Sequence, residues 1–68
     1  MKELIIIEVE SSFEVPGAGG MQIYGADLRN MNKYEAVRQA RIKEEYLPYG
    51  YNLAYFAKDS GTIHLYRS

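Results

Sequence analysis

The hydrophobic pattern opens with Glu3-Leu4-Ile5-Ile6-Ile7-Glu8-Val9-Glu10, a short β-branched run bounded by acids. A run of this length and composition reads as a strand rather than a helix. Ile5, Ile7 and Val9 share one face, while Leu4 and Ile6 share the other and are followed there by Glu8 and Glu10. Both faces begin apolar and only one stays so. Part of the second face is therefore expected to meet a loop, another chain or a partner.

Residues 11–20 hold Pro16, Gly17, Gly19 and Gly20, turn formers dense enough to end regular structure and give a mobile loop. Phe13 and Val15 are placed to pin its first half to the core, or to extend a hairpin returning through Met21-Gln22-Ile23-Tyr24 to Gly25. Asn32 followed by Glu35 is an Asn version of the capping box, so a helix is predicted to start at Lys33. It should stop near Tyr46, because Pro48 cannot continue it and biases Leu47 away from helical geometry. On a helical wheel Ala36, Val37, Ala40 and Leu47 form the side that packs on a sheet.

The segments 51–58 and 62–67 flank Asp59-Ser60-Gly61, the composition of a three-residue hairpin loop with Gly61 left-handed. With Lys58 opposite Thr62, one side of the ribbon carries Leu53, Tyr55, Ala57, Ile63 and Leu65 as core. The reverse side then carries Ala54, Phe56, His64 and Tyr66, with Phe56 opposite His64 and Ala54 opposite Tyr66. The order is strand, strand, helix, strand, strand (ββαββ). The expected fold is α+β, a small antiparallel sheet of about four strands with one helix packed on one face. A single helix leaves the other face bare. That face is expected to include Phe56, His64 and Tyr66, joined by Leu4 and Ile6, and an apolar-aromatic patch of this kind marks an interface more often than ordinary surface.

The chain has 68 residues, which is room for a single domain spanning 1–68. Hydrophobic residues make up 47% and charged residues 25%, so it folds rather than staying disordered. Cysteine is absent, which excludes a disulfide framework and thiolate zinc and leaves a small core without staples. The longest strongly apolar run, at positions 4–7, is too short to span a bilayer, and early acids break any secretory-signal pattern, so the expected location is cytoplasmic.

Catalytic chemistry finds thin support. His64 is the sole histidine, and the serines lie in turn, loop or terminal segments, far from the assembly a nucleophile requires. Glu8 and Glu10 share a strand face, but a solvated or edge-protecting pair accounts for them better than acid–base work. The glycine loop lacks the lysine and Ser/Thr of a phosphate cradle, and a strand follows it where a helix would be needed. No cofactor and no metal is expected.

Charge is more informative in its distribution than in its sum. The formal net charge is −1, yet residues 1–20 carry four acids and one lysine, while residues 29–43 carry five basic residues and one acid. Arg29, Lys33, Arg38, Arg41 and Lys43 are placed to meet an acidic protein surface or phosphates. Lys33 at the helix start and Glu44–Glu45 at its end run against the helix dipole, so these charges do not serve the helix itself. Seven tyrosines without a tryptophan suit a protein-binding surface, since tyrosine offers contact area at low entropic cost.

These features predict a non-catalytic protein-binding module. The residues expected to meet the partner are Arg29, Lys33, Arg38, Arg41, Tyr49, Phe56, His64 and Tyr66. In type, though through no shared motif, the chain looks like the compact, cysteine-free, tyrosine-rich proteins with which viruses inhibit host complexes, bacterial defence systems among them. One alternative is a self-associating structural subunit, a homodimer through the open sheet face. Another is a weak nucleic-acid binder using the basic helix, which the acidic balance disfavours because single-strand binders combine stacking rings with a basic groove.

Overall fold

The computed structural model describes residues 3–17, 20–24 and 28–67. Strand β1 (Ile5–Val9) leads through a 3-10 turn at Ser12–Glu14 to β2 (Met21–Tyr24), and a second 3-10 turn at Leu28–Asn30 precedes helix α1 (Lys33–Ala40). A short helix α2 (Ile42–Glu45) and a 3-10 turn at Leu47–Tyr49 then feed β3 (Tyr51–Ala57) and β4 (Thr62–Arg67). The Gly25 end of the predicted second strand, and Gly19 of the loop, lie outside the described residues.

The α+β class holds, with four strands and one main helix, but the sheet is mixed rather than antiparallel. Its spatial order is β1-β3-β4-β2. The central hairpin pairs β3 with β4 antiparallel, β2 joins β4 antiparallel, and β1 lies parallel to β3. The two strands nearest in sequence at the N-terminus therefore occupy opposite edges. Parallel pairing requires a long crossover, and the helical segment between β2 and β3 supplies one, which a simple meander could not. The β1–β3 ladder continues past the strand end, where Lys58 N donates to the Val9 carbonyl at 3.0 Å.

The core lies between the sheet and the helices. Leu28, Ala36, Val37 and Ile42 from the helical side meet Ala54, Phe56, Ile63 and Leu65 from the central hairpin, all buried. Leu4, Ile6, Met21 and Ile23 from the edge strands flank this cluster. The molecule measures 30 × 24 × 15 Å across its Cα atoms, and the thin dimension accommodates one sheet and one helical layer.

The hairpin register differs by one residue from the predicted one, and that shift exchanges faces. The turn takes four residues, not three. Ala57 pairs with Thr62, Phe56 with Ile63, Tyr55 with His64, Ala54 with Leu65 and Leu53 with Tyr66. Gly61 is left-handed as expected (φ 66°), and its N–H closes the turn on the Ala57 carbonyl at 2.9 Å. Lys58 belongs to the turn, with its N–H donated sideways to the Val9 carbonyl of β1, and the first pair of the hairpin is Ala57 with Thr62. Phe56 is consequently a fully buried core residue at 0% exposure, not a surface partner of His64. Leu4 and Ile6 are corrected likewise. Ile6 stands opposite Ala54, on the helix side, and Ile5 and Ile7, opposite Leu53 and Tyr55, take the bare face.

The helix begins as predicted: Asn32 Oδ1 accepts from Glu35 N at 2.9 Å, satisfying one orphan donor of the first turn. It does not run unbroken to Tyr46. Arg41 is left-handed (φ 56°, ψ 30°) and separates α1 from α2. Ile42 supplies the reason. On a continuous wheel it would point away from Ala36 and Val37, whereas the break rotates it inward to full burial.

Candidate functional site

Two surfaces stand out, one on each side of β1. The first is the sheet face opposite the helices. Ile5 is 51% exposed and Ile7 37%, and beside them Leu53 and Tyr55 of β3 are half-buried. The strip continues to β4, where the Tyr55 and Tyr66 rings meet edge to face with centroids 5.7 Å apart. Such geometry directs a ring's positive edge at its neighbour's negative face and holds both rings in place.

The segment after β1 covers the far half of this face. Tyr66 donates its hydroxyl to the Pro16 carbonyl at 2.6 Å and reaches the Gly17 carbonyl at 3.2 Å, tying the loop down over β4. Gly20 permits the return, since a Cβ there would lie 2.6 Å from the Leu65 carbonyl. Between loop and sheet lies a cleft of about 440 Å³ whose walls include Gln22, His64 and Tyr66. Phe13 stands at its rim, 86% exposed, so it does not pin the loop to the core. His64 is only 9% exposed; Gln22 Nε2 sits 3.4 Å from either ring nitrogen. Burial pushes the His64 pKa down, against a smaller upward pull from Asp59. A neutral, enclosed imidazole of this kind is built to pack.

The second surface lies on the helix side of β1, in the angle between that strand and the helices. This groove, of about 740 Å³, has a floor that includes Leu4, Ile6, Val37 and Leu47. Arg38, Arg41 and Lys43 stand on its rim, opposed by Glu3 and Glu44. At the other end of the strand Lys58 Nζ lies 3.6 Å from Glu8 Oε1 and 4.0 Å from Glu10 Oε1, in a solvated setting where such pairs contribute little.

The residues singled out from the sequence are thus dispersed. Arg38 and Arg41 share the groove, and His64 and Tyr66 share the cleft. Arg29 lies in the turn before α1, its backbone packed against Gly61. Lys33 sits 5.3 Å above the Tyr34 ring centroid. Tyr49 is 70% exposed but apart from both surfaces, its carbonyl accepting from Arg67 Nε at 3.0 Å. Phe56 is in the core. Tyr46 and Tyr51 pack against the core and each other, edge to face at 6.5 Å. Ile5 and Ile7, the most exposed apolar groups on the bare sheet face, escaped sequence reasoning because a face apolar at three successive positions reads as core. The signal that could have found them is the strand's other face, whose Leu4 and Ile6 already suffice to meet one helix.

Among the described residues no helix is long and apolar enough to cross a membrane, and no group of three or more His, Asp or Glu side chains converges as a metal site would. No known protein family, curated protein or solved structure matches the chain.

Proposed function

We propose that this chain is a non-catalytic protein-binding module, and that its partner seats on the bare sheet face over Ile5, Ile7, Leu53 and Tyr55. The observation that carries this reading is the exposure of two isoleucines on a flat strand flanked by half-buried aromatic and aliphatic side chains. Fully burying such a side chain stabilises a complex by roughly 1.5–3 kcal/mol, and an aromatic neighbour is the usual anchor of a binding hot spot. Phe13 extends the patch beyond the sheet and gives the partner a protruding ring to enclose. In its finer form the reading is an inhibitor, of the type viruses direct against host defence complexes, working in the cytoplasm by occlusion rather than chemistry.

Affinity capture with mass spectrometry tests it, comparing the natural chain with Ile7→Asp. The position is 37% exposed, and circular dichroism of the purified variant checks that it keeps its fold before capture is compared. A protein retained by the natural chain should be lost from Ile7→Asp and kept by an Arg29→Ala control. Equal retention by both variants would remove the sheet face as the binding surface.

A further inference from the structure

The outer edge of β1 carries no further strand among the described residues. Because the Val9 carbonyl faces β3, the alternation of a strand turns the backbone groups of Leu4, Ile6 and Glu8 toward that open edge. The side chains of these same three residues point to the helix side, where Leu4 and Ile6 floor the groove, whose lining sets Arg38, Arg41 and Lys43 against Glu3 and Glu44 and so keeps a net positive charge. An occupant of this edge should therefore be an extended segment with apolar residues flanked by carboxylates. The chain itself contains one: β1, with Glu8 and Glu10 following Leu4 and Ile6 on one face. Acidic strand and basic groove adjoin in one molecule and cannot meet within it, because Glu8 and Glu10 lie at the opposite end of β1, by Lys58.

We propose that two copies of this chain pair antiparallel through their β1 edges about a twofold axis at Ile6, forming one continuous sheet in which each copy's Glu8 enters the other's basic groove. Position numbers across the interface then sum to 12: Ile6 meets Ile6 of the partner subunit, and Leu4 meets Glu8 of the partner subunit. This register uses all three residues whose backbone groups face outward, as hydrogen-bonded pairs that each exchange two bonds. Leu4, which precedes β1, joins the ladder in this register; centring on Ile7 would set it opposite Glu10, whose carbonyl already accepts from Asp59 N at 3.0 Å. The interface is isologous and closes at two copies. Arg41 is the groove residue whose presence the fold itself does not require. An arginine is held in left-handed geometry, where glycine is easier, with its side chain on the groove rim. On the opposite side of the joined sheet, Ile5 meets Ile7 of the partner subunit, so the two bare strips merge into one apolar surface. This pairing needs no foreign partner and is read on the purified protein, so its failure leaves the binding reading above to be judged by affinity capture.

The absence of cysteine makes the register directly measurable. Single cysteines placed at positions 4 to 8 in turn, oxidised at low ionic strength, should form disulfide dimers most readily for Ile6→Cys. A mixture of Ile5→Cys and Ile7→Cys should cross-link to each other in preference to themselves. By sedimentation equilibrium the natural chain should be a dimer, weakened about tenfold or more by Glu8→Lys or Arg41→Glu and substantially restored when the two reversals are combined. Restoration is an outcome that misfolding would not produce. A monomer at about 1 mM protein and low salt, a dimer indifferent to both reversals, or cross-links peaking at Leu53→Cys or Tyr55→Cys would each overturn the proposal. The first of these would leave Glu8 and Glu10 as guards of a solitary edge.

Discussion

His64 and Arg41 each hold a state that costs free energy locally. Burial lowers the His64 pKa from its ordinary 6.5, so the folded chain takes up this proton less readily than the unfolded chain does. The stabilising contribution is complete above the unfolded value and is lost as pH falls from about 6.5 through the folded pKa. Melting temperature should accordingly fall for the natural chain between about pH 7 and about pH 5, while His64→Leu stays nearly flat until carboxylates titrate. Parallel curves would show that the ring is not penalised by its enclosure. Arg41 presents the complementary case. Left-handed backbone costs an L residue roughly 1–2 kcal/mol, part of which glycine's larger chain entropy would offset. Arg41→Gly should therefore raise the free energy of unfolding by roughly 0.5–1 kcal/mol in urea titration, a gain that points to a use for the arginine beyond folding.

At the level of elements, the β3–β4 turn is the most constrained feature. Gly61 has φ 66°, and a Cβ there would lie 2.7 Å from the Arg29 backbone nitrogen, so Gly61→Ala should cost roughly 1–3 kcal/mol. Gly17, with open space where its Cβ would be, should accept alanine within about 0.5 kcal/mol. Denaturant midpoints of the two variants separate a glycine required by geometry from one that is not. The same turn marks the limit of what the chain reveals about itself. Its ends, its left-handed glycine and the Asn32 cap are written locally, in residue types whose backbone preferences act within a few positions. The count of turn residues is not, because Lys58 serves equally as strand end or turn and no neighbouring residue type decides between them. That one residue decides whether Phe56 or Tyr55 faces the helices, and with it which residues form the candidate site. The break at Arg41 is similarly hidden: no glycine or proline announces it, and only the burial of Ile42 against the sheet explains it. Of the candidate binding surface, Tyr66 and the groove arginines were visible as chemistry, while Ile5 and Ile7 looked like core until the sheet had an order.

For the molecule as a whole, the margin between folded and unfolded is set by few side chains. Phe56 is the largest fully buried one among the described residues, and Phe56→Ala should cost about 3–5 kcal/mol, which matches the entire net stability expected of a core this size. Circular dichroism should show that variant substantially unfolded at room temperature unless self-association or a ligand supports it. The parallel pairing of β1 with β3 has a further consequence in the order of manufacture. The isoleucine-rich strand is made about forty residues before its neighbour in the sheet, residues 51–57. At about 5–20 residues per second it waits a few seconds for that neighbour to be made. Until then the strand is open to its sister chains, and the like charges of Glu3, Glu8 and Glu10 are of the kind that discourages such premature pairing.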